Sequence, residues 1–352
     1  MNSIRKNLIR AGFEALYFSG IHHLMRPVYG GVGVIFAMHH VRPRREELFQ
    51  PNHHLEITPD FLRAALKHVR ASGVDIVTIN EAHRRLSNRE VSRRFACFTF
   101  DDGYRDIRDF ALPIMRQFNA PFTVYVTSDF VERSGPLWWL SLEKLVAKVD
   151  EIEVDIGGAS IRLDTGTTAA KQLAFCRICD LLYGLPNDQD IRQAVSALCA
   201  RFEVDEGRIS NELCLSWDEL KVFAGDPLVT VGAHTISHCN LARLSEPMAM
   251  REMAGSREKI EASLQRPAVH FAYPYGGKNA AGTREFALAH SAGFKTAVTT
   301  RPAMIFPDSA EYPTALPRIS INGDYQDERF LPVLTSGAAT AIWNRFRRVN
   351  AA

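Results

Sequence analysis

A parallel α/β barrel is the fold class that this sequence of 352 residues predicts. Three observations lead there. Short runs rich in β-branched and aromatic residues alternate with amphipathic helical patterns, the order that a parallel sheet with crossover helices requires. The residues able to carry chemistry fall at the carboxyl ends of those runs, where barrels gather their sites. A composition of 46% hydrophobic and 23% charged residues supports a large core, and one barrel with an insertion accommodates the length as well as two domains would.

The first predicted strand, 32–38, ends in His39 and His40. Thr58-Pro59-Asp60 reads as a helix start, with a capping Thr and Pro in the first turn. Phe61, Leu62, Ala65, Leu66 and Val69 then share one face of that helix. Strand-like runs at 75–79, 94–100, 122–126, 228–233, 270–273, 296–299 and 318–321 complete a barrel-like count.

Two adjacent aspartates, Asp101 and Asp102, close the run 94–100, and Gly103 follows at once. Like charges this close resist joint ionisation unless a cation or another donor lies between them. The pair is therefore metal-bound, proton-sharing or strained, unless it is only a solvated Asp-Asp-Gly turn. Far along the chain, the run 228–233 ends in His234-Thr235-Ile236-Ser237-His238. Two imidazoles four apart at a strand end can converge on one ion, and two His with one carboxylate and an open position make a hydrolytic metal site. Either motif alone is weak evidence; together, both on strand ends, they are specific.

These residues resemble the polysaccharide deacetylases of the NodB-homology group, also called carbohydrate esterase family 4. That family carries a Thr-Phe-Asp-Asp-Gly segment and a His-Ser/Thr-x-x-His segment, present here as residues 99–103 and 234–238. The resemblance implies a distorted (β/α) barrel, with Asp101 as catalytic base and Asp102, His234 and His238 holding a divalent metal. Zinc is expected, although such a ligand set also accepts cobalt, manganese or nickel. The segment from Phe271 to Gly276 looks like the family's Arg-x-Pro-Tyr-Gly motif. By that likeness the Tyr275 amide helps to bind the oxyanion, and Tyr273 and Pro274 face the substrate. Ala272 stands where the family has an arginine that pairs with the base.

The family's last motif, Leu-x-His, supplies the general acid, but the corresponding stretch here is Leu316-Pro317-Arg318-Ile319-Ser320. Loss of general acid catalysis costs a factor of about 10² to 10⁴, so another donor is expected. His39 looks like the histidine of the Tyr-His element in the poly-N-acetylglucosamine deacetylase branch, and takes the acid role on that likeness. Arg318, also near a strand end, can stand in for the missing arginine beside Asp101. The structural alternatives are a polar rim for the histidine pair and a surface ion pair for Arg318.

The rest of the chain bounds these readings. A formal net charge of +2 gives no electrostatic case for nucleic acid. The cysteines, at 97, 176, 179, 199, 214 and 239, show no repeated spacing; Cys176 and Cys179 lie in a helix-like stretch, where buried thiols are expected rather than a second metal site. A reducing, cytoplasmic setting fits that usage. Residues 1–29 carry Arg5, Lys6 and Arg10 before an apolar stretch that Glu14, His22 and His23 interrupt. An amphipathic helical segment is expected there rather than a signal peptide or a spanning helix, and it either packs on the barrel or rests on a membrane surface. The basic tail, 331–352, shares that ambiguity.

Within the barrel of 30–330, a largely helical insertion is expected over 131–215, with helices at 171–182 and 189–202. Trp138 and Trp139 open it, as stacking faces for sugar rings or as packing anchors. The function implied by the resemblance is metal-dependent removal of acetyl groups from N-acetylglucosamine units of an oligo- or polysaccharide, of the chitooligosaccharide or poly-N-acetylglucosamine kind. Two alternatives stand beside it: a deacylase of another linear or cyclic amide, and a catalytically weak scaffold serving carbohydrate binding or regulation. Oligomeric state and membrane contact are left open.

Overall fold

The computed structural model describes residues 3–90 and 92–348, so the extreme ends of the expected N-terminal segment and tail lie outside the described residues. Its strands, in chain order, are β1 (Gly33–Met38), β2 (His40–Val41), β3 (Glu56–Ile57), β4 (Asp75–Ile76), β5 (Phe95–Phe100), β6 (Phe122–Val126), β7 (Glu151–Ile156), β8 (Ala159–Asp164), β9 (Val229–Ala233), β10 (His270–Ala272), β11 (Thr296–Val298) and β12 (Ile319–Ser320). Seven run parallel in the order β11-β10-β9-β6-β5-β1-β12, and β4 joins beside the start of β5. The sheet then curls until its edges meet. Leu316, just before β12, bridges to Val298 of β11, its amide donating to Ala297 O at 2.9 Å while its carbonyl accepts from Thr299 N at 2.8 Å. The result is a distorted (β/α) barrel closed by the segment 316–320.

Both faces of the sheet are covered, as parallel sheets require, and every residue of β1 and β5 is accordingly buried. The helix Pro59–Ala71 begins where its cap predicts, with the Thr58 hydroxyl accepting from Phe61 N, and it buries Phe61, Leu62, Ala65, Leu66 and Val69. Strands β4, β10, β11 and β12 end sooner than their apolar runs. The residues left over, Tyr273, Thr299 and Arg318 among them, belong to the loops and bends at the strand ends.

Residues between the short helix Ser128–Val131 and β9 form helices Trp138–Lys148, Thr168–Tyr183, Asp188–Arg201, Glu206–Leu213 and Trp217–Phe223. They also form a β-hairpin, β7 with β8, which the expectation of a largely helical insertion does not name. Its signal is in the chain: Ile152, Val154 and Ile156 alternate with charged residues, and Gly157 and Gly158 take positive φ of 61° and 81° at the turn. One cysteine expectation also fails, because Cys176 is exposed and Cys179 half-buried on the helix Thr168–Tyr183; all six thiols are free.

The N-terminal residues form α1 (Ser3–Phe18) and α2 (Ile21–Tyr29), separated at Gly20, whose φ of 68° ends the first helix. Phe13 on α1 meets Tyr325 and Phe330 at ring distances of 5.3 and 5.2 Å. The stretch after 330 is not simply a basic tail. Its helices Phe330–Thr335 and Ala338–Trp343 bury Leu331, Val333, Leu334, Ala338 and Ala341.

Near its start α1 is held by Lys6, whose ammonium lies 2.7 Å from Asp324, and His53 approaches the same carboxylate at 2.7 Å. Burial would raise the Asp324 carboxyl, but hydrogen bonds from His53 and Lys6 override it and bring its pKa from 3.8 down to about 2. The Asp324 hydrogen bond raises His53 above 6.5 against the opposing effect of burial. The aspartate's contribution is thus present above pH 3.8 and lost as pH falls toward 2, whereas the histidine's is complete below 6.5 and lost as pH rises through its elevated pKa. The stability difference between the native chain and Asp324→Asn, followed by urea unfolding, should therefore be greatest between about pH 4 and 6.5 and vanish toward pH 2.

Candidate active site

Each chemical residue is presented by a strand end whose backbone is forced out of the strand. Asp101 follows β5, and its amide donates to Met38 O at 2.9 Å, extending the β1 ladder by one bond. Asp102 then turns at φ 73° and Gly103 also at 73°. Thr235, His238 and Tyr275 have φ of 67°, 54° and 59°. Left-handed backbone in non-glycine residues, a β-branched one included, costs on the order of 1–3 kcal/mol each and persists where surrounding bonds dictate it. Here those bonds are visible. Glu252, on the helix Glu246–Leu264, accepts from Ile236 N, Ser237 N and Ser237 Oγ, each at 2.9 Å. Thr127 Oγ1 donates to His234 O at 2.9 Å, and Thr300 Oγ1 to Tyr275 O at 2.6 Å.

Asp102, His234 and His238 are brought together. Nε2 of His234 and of His238 lie 3.5 and 3.3 Å from Asp102 Oδ1, and one ligand atom from each residue fits within 4.8 Å of the others. His234 Nδ1 donates to Ala272 O at 2.7 Å, which leaves Nε2 with a lone pair aimed at Asp102. Burial lowers the His234 pKa to about 4, so the ring is neutral. Asp102 is also buried; burial alone would raise its carboxyl, but His238, His39 and His234 hold it well below the ordinary range. Asp102 Oδ1 finds no hydrogen-bond donor among the described residues, in a site where a bare buried carboxylate oxygen is costly. A carboxylate with an unpaired buried oxygen and two imidazoles are a donor set that fits a divalent cation.

Asp101 has a different partner. The Arg318 guanidinium meets it side-on, with Nη1 to Oδ1 and Nη2 to Oδ2 both 2.7 Å. Arg318 also donates to Thr99 Oγ1 at 3.0 Å and to Thr299 O at 2.9 Å, and its side chain is fully buried. Burial raises the Asp101 carboxyl, but the guanidinium outweighs it and keeps Asp101 ionised below its usual value. Arg318 thus fills, from a distant segment, the position that Ala272 leaves without an arginine.

His39 follows β1 and feels the charges of both aspartates; burial, the larger effect, lowers its pKa below 6.5. His40 turns elsewhere, its Nδ1 lying 2.6 Å from Asp106 Oδ2 and its ring stacked on Tyr104 at 3.5 Å. Tyr275 sits beside His238, ring centres 5.3 Å apart, in a tight turn closed by Gly276 N to Pro274 O at 2.6 Å.

Four side chains expected toward the substrate are buried, and for the two tryptophans the packing-anchor alternative is the one that fits. Tyr273 is fully buried and its hydroxyl donates to Thr314 O at 2.7 Å, so it belongs to the core. Trp138 and Trp139 are buried too and offer no open stacking face. Trp139 packs 5.0 Å from the His238 ring and Trp138 packs against Trp139 and Tyr183, which makes them the wall behind the imidazole. Pro274 is likewise buried. Glu252 and Thr99 are the supporting residues that sequence reading misses. Thr99 lies inside a recognised motif, which is a usable signal, whereas Glu252 has none beyond its helix.

A parallel barrel with a carboxylate and two imidazoles grouped beside an ionised aspartate defines a hydrolase of the deacetylating class. The family described as polysaccharide deacetylase matches residues 88–174 and 187–297, more than half of the sequence, and the chain belongs to that family. Solved structures share the fold. A Streptococcus pyogenes deacetylase, PplD, in complex with acetate, aligns at TM-score 0.54 and 18% identity over 82% of this chain and 92% of that one. A polysaccharide deacetylase from Bacillus cereus aligns at 0.52 and 16% over 86% and 68%, and IcaB from Ammonifex degensii at 0.50 and 17% over 82% and 91%. No curated protein matches this sequence.

Removing one partner of a buried ion pair strands the other charge, at a cost of about 3–5 kcal/mol. Arg318→Met should therefore lower the urea unfolding free energy by that amount, and Asp101→Asn with Arg318→Met should recover part of the loss. Unfolding curves that superpose on the native one for Arg318→Met would show that the pair does not hold the barrel.

Proposed function

We propose that this chain is a metal-dependent N-deacetylase acting on N-acetylglucosamine units of an oligo- or polysaccharide. One observation carries the reading: an ionised carboxylate, Asp101, clamped by Arg318, lies next in sequence to the Asp102, His234 and His238 cluster. A divalent cation held by Asp102, His234 and His238, zinc first among those the set accepts, would supply Lewis acidity and acidify a bound water.

The chain's own groups do the rest. Asp101, kept anionic by Arg318, takes the proton of the attacking water. The guanidinium occupies both carboxylate oxygens, so it fixes the base in orientation while leaving lone pairs for the proton. The Tyr275 amide, carried on a left-handed turn, donates to the oxyanion of the tetrahedral state. His39 gives the proton to the departing amine, releasing acetate and a free amino sugar. Burial lowers its pKa in the substrate-free protein, so His39 takes up a proton from solvent as negative charge develops on the tetrahedral centre and passes it to the amine, while Asp101 returns the water's proton to solvent. With Arg318 beside Asp101, the missing motif arginine no longer favours a scaffold that only binds.

Acetate release from chitin oligomers, measured together with bound metal, tests this reading. Asp101→Asn should abolish release and keep its metal, whereas His234→Ala should lose both; equal metal loss in the two would dissolve the distinction between base and ligand. His39→Gln should slow amide substrates by about 10²-fold or more, the size of a general-acid contribution. An activated acetate ester, whose leaving group needs no proton, should be hydrolysed at nearly the native rate. Equal slowing of both substrates would remove His39 from the acid role.

A further inference from the structure

More than half of the large apolar side chains exposed among the described residues belong to α1, α2 and the final helical stretch. These segments touch one another. On α1 the inward side is occupied by Phe13 against Tyr325 and Phe330, yet the opposite stripe carries Leu8 and Phe18, 72% and 70% exposed, with Ala11 and Ala15 between them. On α2, Ile21, Leu24 and Val28 form a second exposed stripe, with Leu24 at 80%. Trp343 and Phe346 extend it, and the Arg5 guanidinium lies 5.4 Å from the Trp343 ring, joining the two ends of the chain. A helix apolar on two sides is one that is covered on two sides. Among the described residues, only the inner side is covered.

The charge around this face selects what covers the outer side. Arg5, Lys6, Arg10 and Arg26 come from the first two helices, and Arg345, Arg347 and Arg348 from the end of the chain. Glu14 is the one acidic residue within 4–30 and 338–348. The whole chain carries a formal charge of only +2, so the cations are concentrated here. A second copy would press this cationic rim against itself, which like charges resist. An apolar face ringed by arginine instead matches an interface of acyl chains and anionic headgroups, where each basic residue near the surface contributes attraction. No helix among the described residues is long and apolar enough to cross a membrane, so the fit is to lying on the surface.

We propose that the α1, α2 and C-terminal face docks on an anionic phospholipid bilayer. The start of α1 is tied through Lys6 to Asp324, four residues beyond the end of β12 and so toward the carboxyl ends of the strands, where the site lies.

Flotation of the full chain with vesicles tests this. The native protein should float with mixed phosphatidylglycerol and phosphatidylcholine vesicles and not with phosphatidylcholine alone, and high salt should weaken the binding. Leu8→Asp with Leu24→Asp, both exposed and therefore compatible with the fold, should reduce flotation roughly tenfold or more. Arg345→Glu with Arg347→Glu and Arg348→Glu should reduce it on anionic vesicles, with far-ultraviolet circular dichroism unchanged in both variants. No flotation of the native chain, or flotation indifferent to both variants, would overturn the proposal. So would a concentration-dependent dimer that the leucine changes abolish in a chain that ignores vesicles, since the face would then belong to a second copy.

Discussion

The buried contact between Asp101 and Arg318 is the constraint from which the rest of the site follows. It sits beside the barrel seam: Asp101 leaves β5, Arg318 enters β12, β1 lies between them, and Arg318 Nε reaches across to Thr299 O after β11. Strand β12 pairs with β1 over only two residues, so the pair and the Leu316 bridges carry much of the closure. Both charges are withdrawn from water, which is tolerable only because the guanidinium is satisfied by Thr99, Thr299 and both carboxylate oxygens. It also resolves the conflict between neighbouring aspartates. One is neutralised by arginine on one side of the strand tip, and the left-handed turn at Asp102 sends the other toward the histidines.

Local signals made some of this legible in advance. The Thr58 cap, the apolar face after it and the strand 122–126 coincide with the observed elements because capping and periodicity act over a few residues. The carboxylate and imidazole cluster was readable because both motifs end apolar runs, and strand ends in a parallel barrel converge. Arg318 is legible from two things together, a position beside Asp101 that lacks a cation and its own place near a strand end. Tyr273 was misread for the opposite reason. Adjacency to a motif suggests adjacency to the site, but just after β10 the Tyr273 amide still donates to Val298 O at 3.1 Å, and the chain turns only at Tyr275. Glu252 could not be found at all, since nothing in a helix sequence records which loop its carboxylate will accept from.

The insertion between β6 and β9 has the look of an addition to be pared away to leave a smaller catalyst. Its wiring argues otherwise. Trp139 forms the wall against His238, Arg192 donates to Ser237 O at 3.1 Å, and Asp188 accepts from the Asn240 amide while pairing with Arg243. Asn52, from the loop after β2, donates to Trp139 O at 3.0 Å and to Glu143 at 2.9 Å, which fixes the wall from the barrel side. The loop that presents the histidines is thus held on one flank by a segment outside the barrel. A minimal version trimmed to strands and crossover helices would lose the rigidity of its own ligands, and the smallest working unit of this chain includes its insertion.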